Sequence, residues 1–267
     1  MWVTSLITPP PPVWRESRLA LEVASLVRDP IYRGEGVADA GDQPVLLIPG
    51  FLAGDGSLGI MTKWLRRTGH HTRKAGMRAN VDCSEATVER LIDRVERMAE
   101  VHGQKVALVG QSRGGCIARV IAVRRPDLVS GIVALGAPIV DPFAIHPVVR
   151  LHVYAVGALG TLGAKGLFRN SCRAGDCCER FWDDLEAPFP KGVGFLSVYS
   201  KTDGVVNWRS CLDPAAAHLE IDASHVGMAV NAHAYEAIAK ALEAYRGAER
   251  SRARAAAAAR PRLRRAA

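Results

Sequence analysis

The chain has 267 residues, of which 48% are hydrophobic, and shows no internal repeat, which suits one large α/β domain or two small ones and excludes solenoid and propeller arrays. Its formal net charge of +8 is concentrated at one end: eight arginines and one glutamate follow position 245, leaving 27 basic and 26 acidic side chains before it. The globular part is therefore close to neutral, and the basic end lacks the interleaved aromatics that single-stranded nucleic acid recognition requires, so no specific nucleic acid partner is expected.

The opening stretch MWVTSLITPPPPVWRES has no basic region ahead of its apolar residues and carries four consecutive prolines, a poor signal peptide. RESRLALEVASLV (15–27) has apolar residues at helical spacing and reads as an amphipathic helix over the core. Val45 to Ile48 reads as a short strand ending in Pro49-Gly50, with a helix from about Ser57 to Arg67 and a second strand over 71–77. Ser84 to His102 reads as a long charged helix with Ser84 as its N-cap. A strand from Val106, a helix from Arg113 and the strand SGIVALGAP follow. Strands alternating with helices imply a mostly parallel central sheet with helices on both faces.

The alternation breaks over about 141–192 and resumes with a strand at 193–200, a short strand at 218–222 and a helix from about Ala232 to Tyr245. The break reads as a lid-like insertion above the strand ends, where open α/β sheets bind ligands. The organisation expected is a domain over 1–246, the insertion at about 141–192, and a basic, disordered tail over 247–267. That tail offers an electrostatic contact to an anionic membrane surface. LHVYAVGALGTLGA (151–164) is too short to span a bilayer, and a cytoplasmic protein is the expectation.

Gly110-Gln111-Ser112-Arg113-Gly114 carries the chemistry. It fits G-x-S-x-G, in which glycines let a serine take a strained turn between strand and helix with its Oγ lifted clear. The N–H of Arg113 would then face a developing oxyanion from a helix N-terminus. A serine needs a base and an orienting acid, expected in the order serine, acid, histidine. Among the late histidines, His218 begins a strand and His233 lies in the last helix. His225, in DASHVGM, sits in a loop between them and is the expected base. Asp203 follows the strand FLSVYS and is the favoured acid, with Asp213 and Asp222 as rivals. The second oxyanion donor is expected from the loop after the first strand: the N–H of Phe51, or that of Leu52.

These elements together resemble the α/β-hydrolase superfamily across roughly residues 40 to 245. Within it the chain is similar to the bacterial lipase and esterase branch, through its apolar oxyanion loop, LGAP after the elbow helix, and DGVV and SHVGM near the end. One departure is Pro49, where such lipases often carry histidine. The resemblance implies hydrolysis of a carboxylic ester through an acyl-enzyme on Ser112, with His225 as base, Asp203 as its orienting partner and no cofactor. It leaves open acyl transfer to another alcohol and a catalytically silent binding role. The apolar insertion favours a lipidic ester, with Leu52, Leu151 and Leu167 as substrate contacts, and Arg113 is expected to pair its side chain with a carboxylate.

Six cysteines lie at 83, 116, 172, 177, 178 and 211, and are read as mostly reduced. CRAGDCC matches no familiar zinc spacing and holds no histidine, so no metal is expected there, while a disulfide from this cluster to Cys211 stays open.

Overall fold

Successive apolar residues of the central strands divide between two faces. In the computed structural model, which describes residues 12–259, strand β1 (Pro44–Ile48) is buried along its whole length. Leu46 and Ile48 enter one core, Val45 and Leu47 the other. Strand β3 (Val106–Gln111) does the same with Val106 and Leu108 against Ala107 and Val109, and β4 (Val129–Leu135) with Ile132 and Ala134 against Val133 and Leu135. This period of two, with no polar face left, is what a sheet covered on both sides demands.

The remaining strands are β2 (His71–Lys74), β5 (Gly194–Tyr199) and β6 (Ala217–Glu220), and the order is β2-β1-β3-β4-β5-β6 with every pairing parallel. The helices are α1 (Leu19–Arg28), α2 (Pro30–Arg33), α3 (Gly59–Arg67), α4 (Ser84–His102), α5 (Arg113–Arg124), α6 (Pro147–Thr161), α7 (Ser171–Ala174), α8 (Glu179–Glu186) and α9 (Ala232–Ala259). Leu91 and Val95 of α4, Ile117 and Ile121 of α5 and Phe181 of α8 cover one face. Leu26 of α1, Trp64 of α3 and Ile238 and Leu242 of α9 cover the other. Trp64 packs on Tyr235 with ring centroids 4.4 Å apart, joining α3 to α9.

The chain leaves β1 towards β2 and returns on the other side of β1 as β3, so the order reverses between β1 and β3. Loops leaving these two strands diverge there and open a crevice at their C-terminal ends. The Gly50–Phe51 loop and Ser112 both occupy that edge.

Two expectations need adjustment. Ser84 is the first residue of α4 and Cys83 is its N-cap; the Ser84 hydroxyl accepts from Arg113 instead. Residues 247–259, expected to be disordered, continue α9. Alanine and arginine are strong helix formers, and the turns anchored by Ile238, Leu242 and Tyr245 already supply the nucleus, so extension is favourable where independent folding is not. Arg246 and Arg252 also hold this segment to the body through the carbonyls of Asp39 and Gly192. The rest of the expected tail, 260–267, lies outside the described residues. All six cysteines are free thiols, so Cys211 is not bridged to the CRAGDCC cluster. Among the described residues, no helix is long and apolar enough to cross a membrane.

Candidate active site

Ser112 stands between the last residue of β3 and the first of α5 with φ 52° and ψ −125°. A non-glycine residue with positive φ is strained, and it persists only where the surroundings enforce it. Here the enforcement is close packing. A Cβ on Gly110 would lie 2.3 Å from the Gly114 carbonyl oxygen, and one on Gly114 would lie 2.2 Å from that of Ile48. The helix thus starts against β1 and β3 at a distance only glycine allows. The Ser112 N–H donates to the Leu135 carbonyl at 2.8 Å, fixing the turn to the end of β4.

Asp203 and His225 come together at the same edge. Asp203, in the loop after β5, is 3% exposed. Its Oδ1 accepts from the N–H groups of Val205 at 2.7 Å and Val206 at 2.8 Å, and its Oδ2 lies 2.7 Å from His225 Nδ1. A carboxylate only accepts, so this contact puts the proton on Nδ1 and leaves Nε2 with a free lone pair. Burial by itself lowers the His225 pKa, but the charge of Asp203, its hydrogen bond and the charge of Glu16 raise it further, and the net shift from 6.5 is upward. The ring borders the end of β4: a Cβ on Gly136 would sit 3.1 Å from His225 Nδ1. Ser112 is anchored one residue earlier, at Leu135. Among the described residues no hydrogen bond joins the Ser112 hydroxyl to the imidazole, a contact that commonly tightens only with substrate bound.

The rival acids are occupied elsewhere. Asp213 pairs with the buried Arg119 at 2.6 Å, and its carbonyl lies 2.9 Å from His218 Nε2. Asp222 is an exposed carboxylate that accepts from Thr202 at 2.7 Å and Arg18 at 3.2 Å. His233 is exposed on α9.

The loop after β1 passes over the serine: a Cβ on Gly50 would approach Ser112 Cβ to 3.2 Å. Phe51 follows, and Leu52 takes a positive φ of 60°. Asn80 ties the loop down by donating to the Pro49 carbonyl at 2.8 Å. Arg113 opens α5, so its N–H is one of those the helix leaves unused. Among the described residues its side chain pairs with no carboxylate, contrary to expectation. The guanidinium donates to Asn80 and to the Asp82 carbonyl and Ser84 hydroxyl, and lies over the Phe168 ring. The turn aims it at a backbone-lined recess, where carbonyls and a hydroxyl meet it.

An apolar pocket opens beside Ser112, walled by Phe51 from the loop after β1 and by Phe143, Val149, Val153, Phe168 and Trp182 from the segment between β4 and β5. The expected contacts Leu52, Leu151 and Leu167 are not part of this wall. Val149 and Val153 sit one turn apart on the inner face of α6, whereas Leu151 between them points outward and is 66% exposed. Phe168 takes the place assigned to its neighbour Leu167, and Leu52 turns outward at 49% exposed.

Sequence reasoning missed Glu16 and Glu22. Glu16 accepts from the N–H groups of Gly204 at 2.9 Å, His225 at 2.8 Å and Val226 at 3.2 Å. Glu22 accepts from the Ser224 N–H at 2.7 Å and its hydroxyl at 2.5 Å. The signal available was two acidic residues near the start of a helix read only as a cover for the core. Gln111, beside the serine, also holds the histidine loop by donating to the His225 carbonyl at 3.2 Å.

A family model described as the alpha/beta hydrolase fold matches residues 66–153. The mature form of a Bacillus licheniformis lipase is similar at 14% identity, over 78% of this chain and 94% of that one, with a TM-score of 0.56. A soluble variant of the monoglyceride lipase of Saccharomyces cerevisiae, solved with a substrate analogue, is 14% identical over 80% of this chain and 89% of that one, with a TM-score of 0.57. A pyrethroid hydrolase is 17% identical over 76% and 98%, with a TM-score of 0.50. At such identities the likeness is one of fold, and it agrees with the six parallel strands and the strained turn at Ser112. The chain has the α/β-hydrolase fold.

Proposed function

We propose that the chain is a serine hydrolase of the lipase and esterase kind, cleaving carboxylic esters with an apolar acyl group. The observation that carries this reading is the buried 2.7 Å contact of His225 Nδ1 with Asp203, at the strand edge where Ser112 is held in its strained turn. His225 Nε2 takes the proton as Ser112 Oγ attacks the ester carbonyl. Asp203 holds the tautomer and stabilises the imidazolium. The backbone N–H groups of Phe51 and Arg113 receive the oxyanion, the alcohol leaves with the proton returned by His225, and water releases the acyl-enzyme by the same steps. The pocket walled by Phe51 and the insertion takes the acyl chain, the insertion acting as its lid.

A fluorophosphonate probe at neutral pH tests the reading. Labelling is expected on the peptide holding Ser112, and Ser112→Ala abolishes both labelling and the turnover of p-nitrophenyl esters. Ester turnover by Ser112→Ala at the wild-type rate overturns the mechanism, while labelling without hydrolysis of any ester, in the presence of an alcohol that is acylated, identifies an acyltransferase instead.

A further inference from the structure

Four cysteines that the chemistry at Ser112 does not use meet at one point behind the apolar pocket. Cys83 comes from the N-cap of α4, Cys172 from α7, and Cys177 and Cys178 from the turn before α8. Their four sulfurs all lie within 4.8 Å of one another. Cys172 Sγ is 3.0 Å from Cys177, Cys177 is 3.8 Å from Cys178, and Cys178 is 3.4 Å from Cys83. A tetrahedral zinc with Zn–S bonds of about 2.3 Å has sulfurs about 3.8 Å apart along every edge. Disulfides instead draw sulfurs together in isolated pairs at about 2.05 Å. Here Cys177 and Cys178 each approach two other sulfurs, so the four form one closed cluster.

The surroundings suit a cluster of thiolates. Cys83 is the N-cap of a helix of 19 residues. Negative charge is favoured at a helix N-terminus, and thiolates more so than thiols. The Ser171 hydroxyl approaches Cys177 Sγ at 3.7 Å as an outer-sphere donor. Arg113 makes no ion pair among the described residues, and its guanidinium donates to the Asp82 carbonyl and the Ser84 hydroxyl on either side of Cys83. A zinc held by four thiolates carries a net charge of about minus two, which would offset this otherwise unmatched cation.

We propose that Cys83, Cys172, Cys177 and Cys178 bind one structural zinc ion that clips the insertion to the N-terminus of α4. Four protein ligands close the coordination sphere, so the site holds structure and offers no position to a substrate. The clip acts where the insertion already leans on the core: the Phe168 N–H donates to the Val81 carbonyl at 2.7 Å, and Cys172 lines the pocket itself. Binding exchanges four S–H protons for the metal, with no change of oxidation state.

Elemental analysis of the full chain, purified with reductant and without chelator, tests the proposal independently of any activity. About one zinc per chain is expected. Denaturation in chelator without reductant should release it and reveal all six thiols to a colorimetric reagent. Cobalt(II) in its place should give the thiolate charge-transfer and intense visible bands of a tetrahedral four-sulfur site. Cys83→Ser and Cys178→Ser should lose more than nine-tenths of the zinc, and Cys211→Ala, away from the cluster, should keep it. If the serine variants do not fold, titration of the wild-type chain with an organomercurial remains, in which zinc release must follow modification of the cluster thiols. Iron in place of zinc, disulfides within the cluster, or a metal-free protein with six free thiols overturns the proposal.

Discussion

The Glu16 carboxylate accepts the backbone N–H of His225 at 2.8 Å, and the same oxygen accepts that of Gly204 at 2.9 Å. One side chain from the segment before α1 thereby spans the loop holding Asp203 and the loop holding His225. It fixes the distance between two groups that must stay within hydrogen-bond reach, and it adds a negative charge beside the imidazole.

Removing that strut should slow turnover without removing a reacting group. Glu16→Ala strips the acceptor from three backbone N–H groups, and bonds of this charged kind contribute about 1.5–3 kcal/mol each. The expected outcome is a fall of about tenfold or more in kcat/KM, with Ser112 still labelled by the probe, though more slowly. Glu16→Gln keeps one acceptor oxygen and should fall less. Wild-type kinetics in both variants would reduce Glu16 to a surface contact.

The fold and the candidate residues Ser112, Asp203 and His225 were legible because their causes are local. Apolar β-branched runs such as Val106–Val109 and the glycines around Ser112 encode strand, turn and helix within a few residues of one another. Asp203 was legible from its place after a strand. Glu16, Arg113 and Cys83 were not, because their roles depend on partners far along the chain. Nothing near Glu16 says that His225 will sit above it, and CRAGDCC looks incomplete until α4 delivers Cys83. Leu151 misled for a different reason: composition marked the segment as apolar, but which face of α6 turns inward is decided by packing.

The identity of the acid separates two residues cleanly. Asp203→Asn preserves shape and can still accept from Val205 and Val206, but its amide removes the charge that holds Nδ1 protonated. A loss of up to about 10⁴-fold in kcat is expected, with unchanged thermal unfolding. Asp222→Asn, whose partners are Thr202 and Arg18 at the surface, should stay within a few-fold of wild type. The reverse ranking in steady-state assays would move the acid to Asp222.

The pH profile follows from the same contacts. His225 must be neutral to take the serine proton, and its pKa is raised above 6.5, so kcat/KM should climb to a plateau through a pH above 6.5. Burial opposes that shift, while Asp203 and Glu16 drive it. Glu16→Gln should therefore move the acidic limb to lower pH, and Asp203→Asn should move it further. Protonation of His225 favours the folded state, so its contribution to stability is full below about 6.5 and fades as pH rises through the folded value. Urea titrations on either side of that window, compared with His225→Ala, measure it. A limb that stays in place in both carboxylate variants would assign the titration to another group.

Chain-length selection should follow the inner face of α6 and not its outer face. Val149 and Val153 wall the pocket next to Phe168, whereas Leu151 is largely exposed. Val153→Ala should widen the pocket by two methyl groups, and Val153→Phe should block its far end. A methylene in an apolar pocket discriminates by about 1–3 kcal/mol, so the ratio of long-chain to acetyl ester turnover should shift by about tenfold or more in opposite directions for the two variants. Acetyl esters, which reach only the region beside Ser112, should be turned over nearly as in wild type. Leu151→Ala should leave the ratio unchanged, because the atoms removed face solvent. Equal losses on every ester with Val153→Ala would mean that α6 supports the fold without touching substrate, and a shifted ratio with Leu151→Ala would mean that the acyl chain runs along the outer surface of the insertion.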